Sequence, residues 1–150
     1  MTGEPNWIPK RAVFAIHERL LAEHGGAAGV LNEGLLDSAL DGPRNQFAYG
    51  ERDLFRLAAS YAYALTQNHP FADGNKRVAF TIAAVFLERN GFRLTAPEPQ
   101  ALQATLALSS EEMDASAFAE WLHDSSSVYP IVREPTIPKV RVVRRTRKKK

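Results

Sequence analysis

HPFADGNKR, residues 69–77, leads into an apolar run that extends almost unbroken from Val78 to Leu87. Pro70 disfavours right-handed helical geometry at His69, so any helix that precedes this stretch should end just before it. A helix that is apolar on nearly every side usually lies buried at the centre of a domain. We therefore expect a short loop that leads into a central buried helix ending near Asn90.

The start of this central helix has the composition of a phosphate-binding site. Asp73 and Asn75 are both good N-cap residues, and Gly74 between them lets a ligand approach the backbone closely. Free N–H groups in the first turn of a helix attract anions. Lys76 and Arg77 add positive charge, and an arginine can bind two phosphate oxygens at once. The sequence therefore predicts that Gly74, Asn75, Lys76 and Arg77 bind phosphate.

Two residues of the same stretch add reactive chemistry. His69 can act as a general base near neutral pH. Asp73 offers a hard oxygen ligand of the kind that Mg²⁺ uses together with substrate phosphates. Each residue taken alone is explained as well by a capped helix with a solvated basic pair. Base, metal ligand and phosphate cradle within nine residues favour phosphate transfer, with His69, Lys76 and Arg77 as catalytic residues and Asp73 as the metal ligand.

The stretch resembles the signature of the Fic/Doc family, His-x-Phe-x-Asp/Glu-Gly/Ala-Asn-Gly/Lys-Arg. Lys76 matches the Doc (death-on-curing) branch, whereas the AMP-transferring Fic branch carries Gly at that position. Fic enzymes also have a second Arg three residues after the first, where this chain has Phe80. Looser similarity to Doc-type sequence extends upstream over residues 23–26 and 34–40. The resemblance covers residues 8–124 and implies that Phe71 anchors the loop in the core.

The resemblance implies an all-α fold, a compact single-domain bundle of about six helices around the central one. Apolar spacing in the chain agrees with this fold. Other residues mark the ends of further helices. Pro9 and Gly25-Gly26 bound the first helix, Asn32 and Gly42-Pro43 bound the second, and Asp53 precedes the third. Two more helices are predicted over residues 98–109 and 114–124. Residues 92–95 are expected to form a short extended link, and no strand alternation is long enough to predict a sheet.

Residues 42–50, GPRNQFAYG, are rich in turn-forming residues and contain two aromatics. In the family a flap near the active site grips the target protein, and this segment is our candidate for it. An ordinary loop pinned by Phe47 and Tyr49 explains the segment equally well.

The resemblance also implies an activity. Doc-type toxins transfer phosphate from a nucleoside triphosphate such as ATP, with Mg²⁺, to a hydroxyl of elongation factor Tu and so inhibit translation. AMP transfer to a protein hydroxyl (AMPylation) remains an alternative, as does a non-catalytic helical binding module. Self-inhibited Fic proteins carry a Ser/Thr-x-x-x-Glu-Gly/Asn helix; the only similar site here is Glu33-Gly34, with Gly29 in place of the Ser or Thr. An antitoxin acting in trans is therefore expected.

Length and composition limit the domain number, the cysteine chemistry and the cellular location that the chain can have. The 150 residues suit one domain and contain no cysteine, which excludes disulfides and thiolate chemistry. A polar N-terminus and the lack of long apolar runs favour a cytoplasmic protein without membrane contact. Residues 139–150 hold eight of the 19 Lys and Arg and no acid. The Pro-containing segment 125–150 is therefore predicted to be a disordered basic tail, either simply solvated or attracted weakly to nucleic acid or the ribosome.

Three further signals carry less weight. Arg19 and His24 have the spacing of an Arg-x4-His ribonuclease motif, but their side chains should diverge on a continuous helix. His17 and His24 lie seven residues apart and could share a face, yet no third metal ligand accompanies them. His123, near a predicted helix C-terminus, is explained by the helix dipole.

Overall fold

The computed structural model describes residues 3–130, and most of this part of the chain is helical. The elements follow in the order α1 (Lys10–His24), α2 (Glu33–Ala48), α3 (Leu54–Asn68), α4 (Asn75–Arg89), β1 (Phe92–Leu94), α5 (Glu98–Ser109), α6 (Ala115–Asp124) and β2 (Ser126–Val128). The predicted all-α bundle of six helices is confirmed. The predicted extended link is strand β1, which pairs antiparallel with β2 in a sheet that sequence patterning did not reveal. None of the described helices is long and apolar enough to cross a membrane.

Helix α4 lies at the centre of the domain, as its composition predicted. It contacts α1, α3, α5 and β1, and none of its residues from Asn75 to Leu87 is exposed. Ile82 and Phe86 are completely buried, and the ring of Phe86 packs 5.3 Å from that of Tyr61 on α3. Because α4 is surrounded by other elements, its first turn is held in a fixed position beside α1 and α3.

Most helix boundaries follow the capping signals in the sequence. The side chain of Asn32 accepts the Leu35 N–H at 2.9 Å, and the side chain of Asp53 accepts the Phe55 N–H at 2.8 Å, so both predicted caps are confirmed. Helix α1 ends before Gly25, which adopts a φ of +79°. Such end signals are local, which is why the sequence alone locates them well.

Helix α2 is longer than predicted, because Gly42-Pro43 does not end it. Pro43 is buried inside the helix. Beyond it, the Phe47 ring packs edge-on against Trp7 at 5.8 Å, and the Arg44 guanidinium lies over Trp7 at 5.4 Å. These tertiary contacts outweigh the helix-breaking tendency of proline. Residues 42–48 are therefore helical, and Tyr49 is 92% exposed, so it does not pin a loop.

The folded body begins before Ile8, the predicted start of the domain. Trp7 is buried and stacks on Phe86 with 5.8 Å between ring centroids. The Asn90 side-chain amide accepts the Asn6 N–H at 2.8 Å and donates to the Asn6 carbonyl at 3.1 Å. The N-terminal segment is thereby tied to the C-terminal end of α4.

The folded body also continues beyond Asp124, where the basic tail was predicted to begin. Strand β2 pairs with β1, and the Tyr129 N–H donates to the Gly91 carbonyl at 2.7 Å. The three serines at residues 125–127 have the composition of a linker. Strand pairing, however, depends on backbone hydrogen bonds, which composition does not predict. Residues 131–150, including the basic run 139–150, lie outside the described residues.

Tyr61 provides a test of how the N-terminal segment is held. Its buried hydroxyl accepts the Ile8 N–H at 3.2 Å, and burial raises the pKa of the Tyr61 phenol above its ordinary value. Tyr61→Phe should lower the free energy of unfolding by about 1–3 kcal/mol near neutral pH, because the Ile8 N–H loses its acceptor.

The unfolded chain ionises its tyrosines near pH 10 whereas the folded state keeps Tyr61 neutral, so wild-type stability falls above that pH.

The stability difference between wild type and Tyr61→Phe should therefore narrow as the pH rises. Urea denaturation of both proteins at about pH 7 and about pH 11 measures it. A difference that stays constant over this range would mean that the phenol ionises as easily in the folded protein as in the unfolded chain.

Candidate active site

A cavity of about 730 Å³ opens at the first turn of α4. Its volume lies within the range of small-molecule binding sites. Of the predicted site residues, all but Phe71 line it: His69, Asp73, Gly74, Asn75, Lys76 and Arg77. The other lining residues are His17, Leu20, Leu21 and His24 of α1, Gly25 and Gly26 after it, Ala72, and Leu102 of α5.

The loop that leads into α4 is closed by a buried side chain. Phe71 is 1% exposed, and its backbone N–H donates to Asn75 Oδ1 at 3.0 Å. Asn75 Nδ2 donates back to the Phe71 carbonyl at 3.0 Å. The amide of Asn75 thus satisfies both backbone groups of a buried residue, which would otherwise be costly to bury.

The structure corrects the predicted helix caps. Gly74 is the N-cap residue of α4, with a φ of +83°, and no side chain caps the helix. The expectation that Asp73 or Asn75 caps α4 is therefore wrong, because the Asn75 amide is taken up by Phe71 and the Asp73 carboxylate bonds elsewhere.

This arrangement leaves the first turn of α4 open to an anion. The first backbone bond of the helix joins the Val78 N–H to the Gly74 carbonyl at 3.0 Å. Within residues 3–130, the N–H groups of Asn75, Lys76 and Arg77 have no hydrogen-bond acceptor. Free N–H groups at the positive end of a helix are well suited to bind phosphate.

Asp73 is oriented by two backbone N–H groups. Its Oδ1 accepts the Gly74 N–H at 3.0 Å, and its Oδ2 accepts the Ala27 N–H at 3.3 Å. A carboxylate has lone pairs beyond these two bonds, so it can still bind a cation. Among the described residues no group of three or more His, Asp or Glu could hold a metal ion alone. The site therefore fits a Mg²⁺ ion that takes one ligand from Asp73 and further ligands from bound phosphates.

His69 leaves α3 in an unusual backbone conformation. It is the C-cap residue of α3, with φ +47° and ψ +57°, and its N–H donates to the Leu65 carbonyl at 3.3 Å. The residue before a proline avoids the right-handed helical region, and His69 adopts the left-handed region instead of an extended one. Its exposed side chain lines the cavity. Backbone strain of this kind is often concentrated at functional sites.

The two cations of the motif are held differently. Lys76 has no carboxylate partner within the part of the chain that the structure describes. Arg77 Nη1 donates to Glu98 Oε2 at 2.6 Å and lies 3.3 Å from His24 Nε2. Both contacts use one nitrogen, so Nε and Nη2 can still donate to an anion. Glu98, on α5, does not line the cavity and tethers Arg77 from outside it.

Comparison with known proteins assigns the chain to a family. The model of the Fic/DOC family matches residues 7–87, which is more than half of the chain. The chain belongs to the Fic/DOC family. It is 30% identical over 116 residues to the protein kinase Doc of Escherichia phage P1, covering 77% of this chain and 91% of that protein. It is also 41% identical over 75 residues to a toxin Doc of Mycolicibacterium smegmatis, covering 48% of this chain and 57% of that protein. Both relatives are Doc-type members, as the sequence signature indicated.

Helix α1 supplies a wall of the Fic/DOC cavity that sequence analysis missed. His17 is 6% exposed, stacks on Phe71 and lies against Asp73, while His24 lies against Arg77. Their spacing of seven residues was the available signal, because it places both side chains on one face of α1. Arg19 instead pairs with Glu23 and does not line the cavity, so the ribonuclease pair does not form. His123 lies apart from this cavity.

The segment after α1, rather than residues 42–50, borders the Fic/DOC site. The Leu31 N–H donates to the Pro70 carbonyl at 2.7 Å, and the Ala72 N–H donates to the Gly29 carbonyl at 3.0 Å. Residues 42–50 line no part of the cavity. The prediction that they form a flap at the active site is wrong, since they belong mostly to a helix packed against Trp7.

Gly26 and Gly29 offer a matched pair of variants for testing how Asp73 is positioned. Both residues have a φ near +120°, at +121° and +118° respectively, so alanine strains the backbone similarly at each. A Cβ at Gly26 would lie 2.9 Å from Asp73 Oδ2 and 3.1 Å from Leu21 Cδ2, both at the cavity, whereas a Cβ at Gly29 meets nothing within 4 Å. If the cavity binds a nucleotide such as ADP with Mg²⁺, as the sequence predicts, Gly26→Ala should weaken that binding by about tenfold, or ~1.4 kcal/mol.

Gly29→Ala should lose a similar amount of thermal stability and bind ADP with Mg²⁺ as wild type does. Isothermal titration calorimetry and thermal denaturation measure the two effects. Equal losses of binding in both variants would show that the Gly26 effect comes from backbone strain rather than from the Asp73 carboxylate.

Proposed function

We propose that this chain is a Doc-like toxin that transfers phosphate from a nucleoside triphosphate to a hydroxyl of a target protein. The observation that carries the proposal is the convergence on one cavity of an exposed His69, the oriented Asp73 carboxylate, two cations and the open N-terminus of α4. Similarity to a protein named a kinase supports the same reaction class.

The cavity suits a nucleotide on chemical grounds. The free N–H groups of α4, together with Lys76 and Arg77, form its anionic subsite. Leu20 and Leu21 on α1 and Leu102 on α5 form apolar walls that can take the base. We propose ATP as the co-substrate, although another nucleoside triphosphate would satisfy the same contacts.

Asp73 is the proposed metal ligand. When bound beside the phosphates, Mg²⁺ would neutralise part of their charge and help to orient the transferred group. The two backbone bonds to Asp73 hold the carboxylate in one orientation, so that its free lone pairs are available without further reorganisation.

In the proposed reaction His69 acts as the general base. It takes the proton of the target hydroxyl while the hydroxyl oxygen attacks the γ-phosphorus. The new oxygen–phosphorus bond forms, the bond from the γ-phosphorus to the β–γ bridging oxygen breaks, and ADP leaves. Lys76, Arg77 and the N–H groups of α4 offset the charge that develops on the phosphate oxygens. The exposure of His69 suits a macromolecular substrate that approaches from solvent.

Phosphate transfer is preferred to AMP transfer because of two positions in the motif. Lys76 stands where AMP-transferring enzymes of the family have Gly, and Phe80 stands where they have a second Arg. Because position 80 is a phenylalanine, which also does not line the cavity, it offers no cation to the phosphates. AMPylation remains the alternative, to be decided by experiment.

The partners follow from the family resemblance. Elongation factor Tu is the proposed target, which would make the protein a cytoplasmic inhibitor of translation. An antitoxin in trans is the proposed regulator. Glu33, which is followed by Gly34, forms a salt bridge with Lys10 and does not line the cavity, which supports regulation in trans rather than by an inhibitory glutamate of this chain. Weak attraction of residues 139–150 to nucleic acid or the ribosome remains a prediction.

Labelled nucleotide distinguishes these activities. Purified protein, Mg²⁺ and a bacterial extract are incubated with ATP labelled separately at the α- and γ-phosphates. Labelling of a protein band from the γ-phosphate alone supports the kinase, and the band identifies the target. Labelling from the α-phosphate would establish AMP transfer instead. Labelling no greater than that given by a His69→Ala control would favour the non-catalytic binding module.

His69→Ala should lower the transfer rate by about 10²–10⁴-fold, because the general base is lost. Its thermal stability should remain close to that of wild type, since the His69 side chain is exposed and the left-handed backbone is retained. Rates are measured with the purified target, and stability by thermal denaturation. Transfer at the wild-type rate would exclude His69 as the base.

Asp73→Asn should raise the Mg²⁺ concentration needed for half-maximal transfer, since a neutral amide is a weaker ligand for a hard cation. Asp114→Asn is the control, because Asp114 caps α6 and does not line the cavity. The measurement is a Mg²⁺ titration of the initial rate. An unchanged Mg²⁺ requirement in Asp73→Asn would remove this residue from the metal site.

A further inference from the structure

His17 is a buried polar residue that the proposed reaction does not use. It lies in the middle of α1, is 6% exposed and lines the wall of the cavity. Its ring contacts two parts of the loop before α4, namely the Phe71 ring and the Asp73 carbonyl. A single side chain therefore contacts both the buried anchor of the loop and the residue proposed to bind the metal.

The hydrogen bond of His17 has a defined direction. His17 Nε2 lies 2.9 Å from the Asp73 carbonyl oxygen. A carbonyl oxygen can only accept, so Nε2 carries a proton and donates. The imidazole also stacks on Phe71 with 3.9 Å between ring centroids and 20° between ring planes. The stack holds the ring in its plane, and the hydrogen bond holds the Asp73 carbonyl towards α1.

Orientation of the Asp73 carbonyl also orients the Asp73 carboxylate. The peptide group between Asp73 and Gly74 is planar and trans, so its carbonyl and its N–H point in opposite directions. The carbonyl is fixed by His17, and the Gly74 N–H on the other side donates to Asp73 Oδ1 at 3.0 Å. Rotation of this peptide would break both bonds at once.

Gly74, which contributes the N–H of this peptide, also sets the start of α4. Gly74 is the N-cap residue, and its carbonyl accepts the first helical N–H, that of Val78. A Cβ at Gly74 would lie 3.8 Å from His17 Cδ2, which is ordinary van der Waals distance, so the imidazole lies beside this residue and leaves little room for a larger one. The free N–H groups of the first turn are therefore positioned by a contact from α1 as well as by the loop itself.

From these contacts we infer that His17 is a positioning residue: it orients Asp73 for metal binding and the first turn of α4 for phosphate binding. The metal-binding part of this inference rests on the proposed function. The effect on the loop does not, because it can be measured without any ligand.

Two variants separate the hydrogen bond from the aromatic stack. His17→Phe keeps a ring against Phe71 and removes the donor. His17→Gln removes the ring and keeps an N–H near the position of Nε2. Val13→Ala is the matched control, since Val13 lies one helical turn earlier on α1, is completely buried and does not line the cavity. It should lower global stability without acting on the loop.

Amide hydrogen exchange of the ligand-free full-length protein provides the first measurement. His17→Phe should speed exchange at Gly74 and Val78 by about tenfold relative to wild type, as expected from loss of one partly buried hydrogen bond. His17→Gln should stay within about threefold of wild type. Exchange in His17→Phe that matches wild type, or that matches Val13→Ala at these two amides, would overturn the inference.

Binding of Mn²⁺ in the presence of ADP, followed by electron paramagnetic resonance, provides the second measurement. The affinity for Mn²⁺ should fall about tenfold in His17→Phe and stay near the wild-type value in His17→Gln and Val13→Ala. Equal affinities in wild type and His17→Phe would overturn the metal-positioning role. If wild type itself fails to bind Mn²⁺ with ADP, the proposed function and the metal-positioning role fail together, whereas the exchange rates still decide whether His17 holds the loop.

Discussion

The two hydrogen bonds between the Asn75 amide and the backbone of Phe71 form the constraint on which the candidate site depends. Phe71 is buried, so its N–H and carbonyl need partners inside the protein. Asn75 supplies both partners from the first position of α4. Because its amide is used in this way, no side chain caps the helix, and the N–H groups at its start remain open towards the cavity.

Helix α4 could not hold this position without its surroundings. It is buried against α3, α1 and α5, and each neighbour also contributes to the site. Helix α3 ends at His69, α1 brings His17 and His24 to the cavity wall, and α5 carries Glu98. The elements that make up the hydrophobic core are thus the ones that position the polar groups.

The charges around the cavity are arranged so that cations remain available. Arg77 is tethered through one nitrogen by Glu98, which does not line the cavity, and Lys76 has no carboxylate partner among residues 3–130. The Asp73 carboxylate lies at the same cavity and is oriented by backbone N–H groups rather than by a cation. An anion and a divalent cation could therefore both find complementary groups there.

Residues 69–77 and the apolar run after them were sufficient to predict the central helix and the residues that line one side of the cavity, and helix signals along the rest of the chain agreed with the all-α fold, because those signals are local. Helix caps, apolar periodicity and a nine-residue motif act over a few neighbouring positions of the chain. The continuation of α2 through Pro43, the pairing of β1 with β2 and the arrival of His17 at Asp73 were not predictable in this way. Each depends on contacts between residues far apart in sequence, whose packing energy outweighs local preference, and such contacts exist only once the helices have assembled around α4.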